Sequence, residues 1–464
     1  MKKKLLIAFF IISYSLALKA QYTKILDFAG AVNGNYPKGD LIFDGTFLYG
    51  LTSNGGVNNL GVIFKIKPDG TGYSDIFDFT GVLSGNFPYG SLIYDGTFLY
   101  GMTFFGGTND SGTIFKIKPD GTMFSKLLDF NSLNGAYPNG SLFYDGTFLY
   151  GMTLSGGANG AGIVFKIKPD GTAYADLHDF NFSGTNGYNP YGSLIYDGTF
   201  LYGTVSGGGS FGNGIIFKIK PDGTLYTQIF DFAGVNGTGP LGSLVYDGTF
   251  LYGMTSAGGM YNEGVIFRVK ADGTSFLKLL DFSYTVNGGT PNGSLIYDGN
   301  YLYGLTSAGG LNGGGVIFKI KSDGSGGFSN LHDFDNGIDP DGAFPHGSLI
   351  SDGTCLYGMT KQGGINSLGT VFKYCIPTEI SENVYQEKIS IFPNPSNSEF
   401  NFSGLKDESF IEVFDVIGRK VYFSKTKGDT QVINLREMGN GIYFYKVFQL
   451  NEPVQFGKIV VKWN

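Results

Sequence analysis

The chain contains very little cysteine, histidine and tryptophan, with 2 Cys, 3 His and 1 Trp in 464 residues. Two cysteines exclude a disulfide-rich scaffold. Basic residues are not in excess either, because 32 Lys and Arg face 39 Asp and Glu, giving a net charge of −7. The lysines are scattered as Lys-x-Lys pairs, so the sequence predicts no nucleic-acid partner. No helical period appears, and after residue 20 no stretch approaches 18 apolar residues, so we expect no membrane span in the mature chain.

Glycine and aromatic residues are abundant instead. The chain has 76 Gly and 16 Pro, and aromatic residues make up 16% of it. Low-complexity disordered chains lose their aromatic residues, whereas this composition is rich in turns and still able to form a large packed core.

Residues 1–20 have the composition of a secretory signal peptide. Three lysines follow Met1, a mostly apolar run extends from Leu5 to Leu18, and Ala20 suits signal peptidase. We therefore expect a mature chain that starts near Gln21 and passes through the periplasm to the cell surface or the medium.

The sequence repeats itself seven times. The phrase Leu-Tyr-Gly recurs at intervals of 50 to 54 residues, which indicates units of about 51 residues. Its tyrosines are Tyr49, Tyr100, Tyr150, Tyr202, Tyr252, Tyr303 and Tyr357. An Asp-Phe pair also recurs once per unit, at Asp27, Asp78, Asp129, Asp179, Asp231, Asp281 and Asp333.

Each unit contains four short runs typical of β-strands. In the second unit they are 91–94, 97–103, 113–118 and 123–130. Asp95-Gly96 and Pro119-Asp120-Gly121 separate neighbouring runs and predict tight antiparallel hairpins, and the glycine-rich link 131–140 leads to the next unit.

This pattern predicts an all-β fold, a seven-bladed β-propeller of four-stranded repeats. The seventh unit lacks its fourth strand, and residues 22–28 form a fourth strand that no other strand precedes. Pairing the N-terminal strand with the last blade closes the ring and removes a sheet edge, which an open solenoid would not require. We also expect a disulfide between Cys355 and Cys375, which lie at the same end of adjacent strands in the last blade.

The repeated sequence phrases end near residue 377. We therefore expect a propeller at 21–377, a linker at 378–388 and a small β-sandwich at 389–464. The tail resembles the C-terminal sorting domain of the type IX secretion system in the segments 391–395, 411–421, 439–443 and 458–462. The motif residues are Pro393, Asn394, Pro395, Gly418 and Gly441. The resemblance implies that the type IX machinery is a partner and that the chain is released or attached at the cell surface.

The repeats resemble the GloVer tandem repeat of exported bacterial proteins. The resemblance rests on Leu-Tyr-Gly-Met-Thr, Gly-Gly and the run Val-Phe-Lys-Ile-Lys-Pro-Asp-Gly, and it covers roughly residues 22–375. It implies an extracellular repeat protein and carries over no chemistry.

One face of the predicted disc varies between repeats and is the candidate site, because binding residues usually lie on variable loops of a rigid scaffold. A single position within the phrase Pro-x-Gly differs in nearly every unit and is expected to ring the mouth of the central channel. These candidate ligand-binding residues are Lys38, Tyr89, Asn139, Tyr191, Leu241, Asn292 and His346. Their side chains suit a glycan or a protein ligand, although solvated loop positions are the alternative.

Signals for catalysis are weak. His178 and His332 replace a repeat residue in the fourth strand, which argues against a three-histidine zinc site, and no nucleophile-elbow or HExxH motif is present. Asp40 replaces a repeated serine but has no evident partner for glycosidase chemistry. Asp335, Asp339 and Asp341 form a weak calcium candidate without EF-hand spacing. We expect no cofactor.

Three functions therefore stay open. The first is an exported, non-catalytic binding or adhesion propeller. The alternatives are a secreted polysaccharide hydrolase or lyase on the same scaffold, and a structural surface repeat protein.

Overall fold

The computed structural model describes residues 21–183, 186–335, 341–376, 389–405, 409–415, 419–449 and 452–462. The predicted signal peptide and linker lie outside the described residues, as do Asp339 and Gly418. The chain forms two compact units, residues 1–377 and 378–464.

The first unit is built from repeated antiparallel sheets, one sheet per repeat and seven among its described residues. The first sheet contains β2 (Ile42–Phe43), β3 (Leu48–Thr52), β4 (Val62–Ile66) and β5 (Ser74–Asp78), paired in that order. Asp44 makes the first hairpin turn, since its Oδ1 accepts the backbone N–H groups of Thr46 and Phe47 and its Oδ2 accepts the hydroxyl of Tyr49. The predicted antiparallel hairpins are confirmed, here between β2 and β3.

The next five sheets repeat this order. The second and third contain β6 (Ile93–Tyr94), β7 (Leu99–Thr103), β8 (Thr113–Ile117) and β9 (Ser125–Asp129), then β10 (Phe143–Tyr144), β11 (Leu149–Thr153), β12 (Ile163–Ile167) and β13 (Ala175–Asp179). The fourth and fifth contain β14 (Ile195–Tyr196), β15 (Leu201–Val205), β16 (Ile215–Ile219) and β17 (Thr227–Asp231), then β18 (Val245–Tyr246), β19 (Phe250–Thr255), β20 (Val265–Lys270) and β21 (Leu277–Asp281). A single helical turn, α1 (Tyr284–Asn287), precedes the sixth, which contains β22 (Ile296–Tyr297), β23 (Tyr301–Thr306), β24 (Gly313–Lys321) and β25 (Ser329–Asp335).

The last sheet joins the two ends of the repeat unit. It contains β26 (Ala343–Pro345), β27 (Ile350–Ser351), β28 (Cys355–Gln362) and β29 (Thr370–Cys375), and the N-terminal strand β1 (Gln21–Asp27) pairs antiparallel with β29. The predicted closure by the N-terminal strand is confirmed. The hydrophobic core is continuous across the same junction, because Leu48 and Phe64 of the first repeat share a buried cluster with Met359 and Val371 of the last.

The inner strands are shorter than the sequence predicts. In the second repeat the strand covers Ile93–Tyr94 alone, whereas the pattern predicted 91–94. The reason is that the backbone N–H of Ser91 donates to the side chain of Ser141 in the next repeat instead of to a ladder. The first residues of each inner strand thus connect repeats.

The second unit contains two sheets. One pairs β30 (Ser390–Phe392), β31 (Glu399–Ser403) and β34 (Thr430–Asn434), and the other pairs β33 (Lys420–Lys425), β32 (Phe410–Phe414), β35 (Gly441–Gln449) and β36 (Glu452–Val461). Phe400 and Phe402 from the first sheet share a buried core with Val413 and Val447 from the second. Such a shared core is typical of a small sandwich.

Candidate functional site

The centre of the propeller is a ring of seven glycines in very close contact. A Cβ atom on any of them would lie 2.1–2.8 Å from the carbonyl oxygen of the glycine in the next repeat. No side chain fits there, so glycine is required by this close approach. The ring consists of Gly39, Gly90, Gly140, Gly192, Gly242, Gly293 and Gly347. It narrows the channel to a throat of about 60 Å³.

The residues after these glycines form a closed circuit of hydrogen bonds. Six serines and Asp40 take part, and each backbone N–H donates to the side-chain oxygen of the next repeat over 2.5–2.8 Å. The circuit runs from Asp40 through Ser91, Ser141, Ser193, Ser243, Ser294 and Ser348 and returns to Asp40. These backbone donors are therefore already paired within the protein.

Asp40 occupies a serine position in this circuit. Its carboxylate accepts the backbone N–H of Ser348, which joins the last repeat to the first. Burial raises the pKa of the Asp40 carboxyl, although hydrogen bonds from Ser348 and Ser91 act in the opposite direction. Asp40 thus serves as an acceptor that closes the ring, which is a structural role.

The seven side chains predicted to ring the channel line one cavity of about 270 Å³. Phe104 and Leu154 complete its lining, and we call this cavity the cup. Each of the seven follows a buried proline, and the residue before each proline has a positive φ of 48–62°. The left-handed conformation turns the chain inward at the same place in every repeat, so positions that vary in sequence converge at the axis.

The first repeat contributes a cation to the cup. The ammonium of Lys38 lies 3.3 Å from the ring centroid of Tyr89, a cation–π contact, and Tyr89 packs against Phe104 with centroids 4.6 Å apart. Burial and the charge of Lys361 lower the pKa of Lys38 to about 8. Burial, with Lys38 and Lys361, lowers the pKa of His346 to about 4, so His346 is neutral near pH 7.

The opposite side of the cup is uncharged. Asn139 donates weakly to the carbonyl of Tyr191 over 3.5 Å, and Asn292 donates to Ser307 Oγ over 2.8 Å. Leu241 adds an apolar wall. Among the described residues, no aromatic ring or cation packs against the half-buried ring of Tyr191. Tyr191 therefore offers an aromatic surface to a ligand.

Sequence reasoning missed a second set of residues at the cup. They occupy the position after Leu-Tyr-Gly-x-Thr or its variant, which is serine in four repeats but Phe104, Leu154 and Lys361 in the other three. Phe104 and Leu154 line the cavity, and Lys361 acts on Lys38 and His346 by its charge. The signal in the sequence that could have identified these residues is the replacement of serine at this position in three repeats.

The described residues give no group of three or more His, Cys, Asp and Glu side chains that is suited to a metal ion. In the calcium candidate, Asp335 ends β25 and the side chain of Asp341 lies 3.7 Å from His332 Nε2. Asp40 is the one carboxylate that lines the cup or its throat within the described part of the chain.

The other repeated carboxylates are structural. The aspartate of each Asp-Phe pair accepts the backbone N–H of the residue that follows a Gly-Gly pair, for example Val57 to Asp78 over 2.7 Å and Met260 to Asp281 over 2.7 Å. In the last sheet Ile365 donates to Asp27 of the N-terminal strand. Cys355 and Cys375 are directly paired in β28 and β29 and form a disulfide.

Comparison with protein families identifies both units. The family described as the Gloeobacter/Verrucomicrobia repeat matches residues 12–146, 143–250 and 197–391, which is most of the chain. The chain belongs to this repeat family. The family described as the secretion system C-terminal sorting domain matches residues 390–462. Among curated proteins, none matches the chain.

Solved structures of similar fold include two bacterial proteins. One is the extracellular domain of a protein described as a one component system, BT4673 of B. thetaiotaomicron, at 13% identity and a TM-score of 0.51, covering 82% of this repeat protein and 44% of that chain. Another is PorZ, a surface component of the type IX secretion system of Porphyromonas gingivalis, at 15% identity and a TM-score of 0.45, covering 94% and 60%. The first likeness supports the fold alone.

The sorting domain places this repeat protein outside the cell or at its surface, by type IX secretion. Within it, Asn394 of the predicted motif ties the first segment to the last strand, because its Oδ1 accepts the N–H of Val460 and its Nδ2 donates to the carbonyl of Lys458. Gly441 begins β35. None of the helices in the described residues is long and apolar enough to cross a membrane.

Proposed function

We propose that this exported repeat protein is a non-catalytic binding module that holds the end of an extracellular ligand in the cup. One observation carries the proposal: seven side chains of differing chemistry, one per repeat, line a single cavity on a nearly constant frame. A purely structural role gives no reason for these side chains to differ between repeats at a position that lines one cavity. Binding residues on variable positions of a rigid scaffold are the common arrangement.

The size of the cup limits what enters it. Its volume of about 270 Å³ lies just below the roughly 300–1,000 Å³ of typical small-molecule sites. A single terminal unit of a larger ligand fits such a volume better than an extended chain. Tyr191 supplies an aromatic surface, and Asn139 and Asn292 supply amide groups that fix orientation.

The lining favours binding over hydrolysis. Glycoside hydrolysis uses two carboxyl groups that flank the reacting bond. Asp40 is the single carboxylate among the described lining residues, and it accepts a backbone hydrogen bond in the throat. Asp335 and Asp341 are not among the lining residues.

The test uses the mature full-length protein with a panel of soluble glycans and peptides, recording binding and newly released ends in the same samples. We expect binding without release. Tyr191→Ala should weaken binding at least tenfold, about 1.4 kcal/mol, because an aromatic anchor in a pocket contributes strongly. Tyr261→Ala is the matched control, since Tyr261 is 55% exposed in a loop and does not line the cup.

Two results would overturn the proposal. Released ends would show an enzyme and favour the polysaccharide hydrolase or lyase. Ligand binding that Tyr191→Ala leaves unchanged would place the site elsewhere, and the absence of any ligand would favour the structural surface protein.

A further inference from the structure

The cup has an uneven charge distribution that its repeated frame does not require. Positive charge gathers where the last repeat meets the first, at Lys38 and Lys361. In the other repeats, the positions equivalent to these two hold uncharged side chains. Lys38 lines the cup, and Lys361 occupies the repeat position at which Phe104 and Leu154 line it.

Within the described part of the chain, neither lysine has a carboxylate partner. Among the described residues, no ion pair includes Lys38 or Lys361, although the same residues contain five ion pairs of lysine or arginine elsewhere. Asp40 lies below in the throat and accepts from the backbone of Ser348. His346 lines the cup together with Lys38, but it is neutral near pH 7. Two ammonium groups that repel one another at a half-buried cavity are compensated best by an anion from outside.

The backbone around the throat argues for a saccharide over a peptide. A peptide that binds through its main chain needs free N–H and C=O groups on the protein. Here the N–H groups of the six serines and Asp40 already donate to the next repeat. The side chains that line the cup include aromatic rings, amides and the ammonium of Lys38, which suit a sugar ring and its substituents.

We propose that the cup recognises a carboxylate-bearing sugar unit, with the carboxylate held by Lys38 and Lys361 at the junction of the first and last repeats. The proposal rests on the proposed binding function and adds the chemical class of the ligand. Tyr191 and the two asparagines then contact the uncharged part of the sugar across the cup.

The experiment compares oligosaccharides that end in glucuronate, galacturonate or N-acetylneuraminate with twins whose carboxyl is converted to the methyl ester. Affinities are measured by calorimetry on the mature full-length protein at pH 7. We expect at least one acid to bind tenfold or more tightly than its ester. Lys38→Met and Lys361→Met should each remove that preference, and Lys38→Arg should keep it because the charge remains.

A matched control comes from the repeated lysines. Lys67 is exposed and lies 5.8 Å from the ring centroid of Phe47, so Lys67→Met removes a lysine on an aromatic ring that does not line the cup. This variant should leave the preference for the acid intact.

The pH dependence gives a second readout. Lys38 has a pKa of about 8 in the free protein, and a bound carboxylate raises it. The charged form is the form that binds, so the preference for the acid should fall as pH rises from 7 to 9.5. The groups that face Lys38 are Tyr89, His346 and Lys361, and His346 with a pKa of about 4 does not titrate in this interval.

The outcomes separate the inference from the function. Equal affinity for acids and esters, a preference that survives both methionine variants, or no binding of any acid overturns the inference. The binding function still stands in those cases if a neutral glycan or a peptide binds and Tyr191→Ala weakens it, and it falls if nothing does.

Discussion

At the scale of single residues, the side chains that line the cup stand at positions where the backbone is tightly constrained. Each side chain that lines the cup from a Pro-x-Gly phrase lies between a buried proline and a glycine that tolerates no Cβ atom. The positive φ of the residue before the proline costs free energy in a side chain such as Tyr36 or Phe87. This conformation fixes the direction in which the chain continues through the proline. The middle residue of Pro-x-Gly therefore differs between repeats while its position at the axis stays the same.

Asp40 gives a prediction at this scale. Burial raises its pKa in the folded protein above the unfolded value near 4, so between these two values the folded state holds more protons than the unfolded state. Stability therefore falls as pH rises through that window. Asp40→Ser restores the serine of the other six repeats and should raise the melting temperature at pH 7, with a smaller gain at pH 3.5.

Near-ultraviolet circular dichroism of the tyrosines measures this effect in the mature protein. Asp44→Ser is the control and should destabilise at pH 7, because Asp44 accepts from Thr46, Phe47 and Tyr49. A loss of stability in Asp40→Ser at pH 7, or an equal gain at both pH values, would contradict this account.

At the scale of strands and hairpins, much of the fold follows from the sequence because each hairpin carries its own turn chemistry. Asp95-Gly96 fixes a turn whatever its surroundings, and the fourth strand missing from the last repeat requires β1. The shortness of the inner strands did not follow from the sequence, since Ser91 bonds to a residue 50 positions away. The sequence did not single out Lys361 for a related reason. Its charge acts on Lys38, which belongs to the first repeat, whereas Lys361 belongs to the last.

The last sheet gives a prediction at this scale. Among the sheets formed by the described residues, it alone is assembled from both ends of the unit, and the disulfide of Cys355 and Cys375 links its two central strands over a separation of 20 residues. Reduction should lower the free energy of unfolding of the repeat unit by about 3 kcal/mol in the chain-entropy model. Chemical unfolding of the mature protein with and without a phosphine reductant measures the difference.

The double variant Cys355→Ser/Cys375→Ser is the control, because the reductant should have no further effect on it. A wild-type transition that the reductant leaves in place, with mass spectrometry showing full reduction, would contradict the stabilising role of this bond.

At the scale of the whole molecule, residues that recur in every repeat build the frame, and residues that differ between repeats line the cup. Near-identical sheets, with shared clusters between neighbours, build the frame, and the glycine and serine circuits keep it closed at the axis. The sorting domain directs the frame to the cell exterior. The sequence predicts the repeated sheets from its repeated phrases, and it predicts the sorting domain from the segments that resemble such domains. The sequence does not predict which residues of different repeats line one cavity together, because that depends on how the repeats are arranged around the axis.

The most direct test of the central claim is to fill the cup. Leu241→Trp adds bulk at a lining residue, whereas Leu311→Trp adds the same bulk at a leucine that is 84% exposed and outside the cup. Binding of the ligand found in the panel is measured for both variants, with tyrosine circular dichroism as the check on folding. We predict that Leu241→Trp loses binding at least tenfold while Leu311→Trp keeps it, and full binding by a folded Leu241→Trp variant would contradict the assignment of the cup as the site.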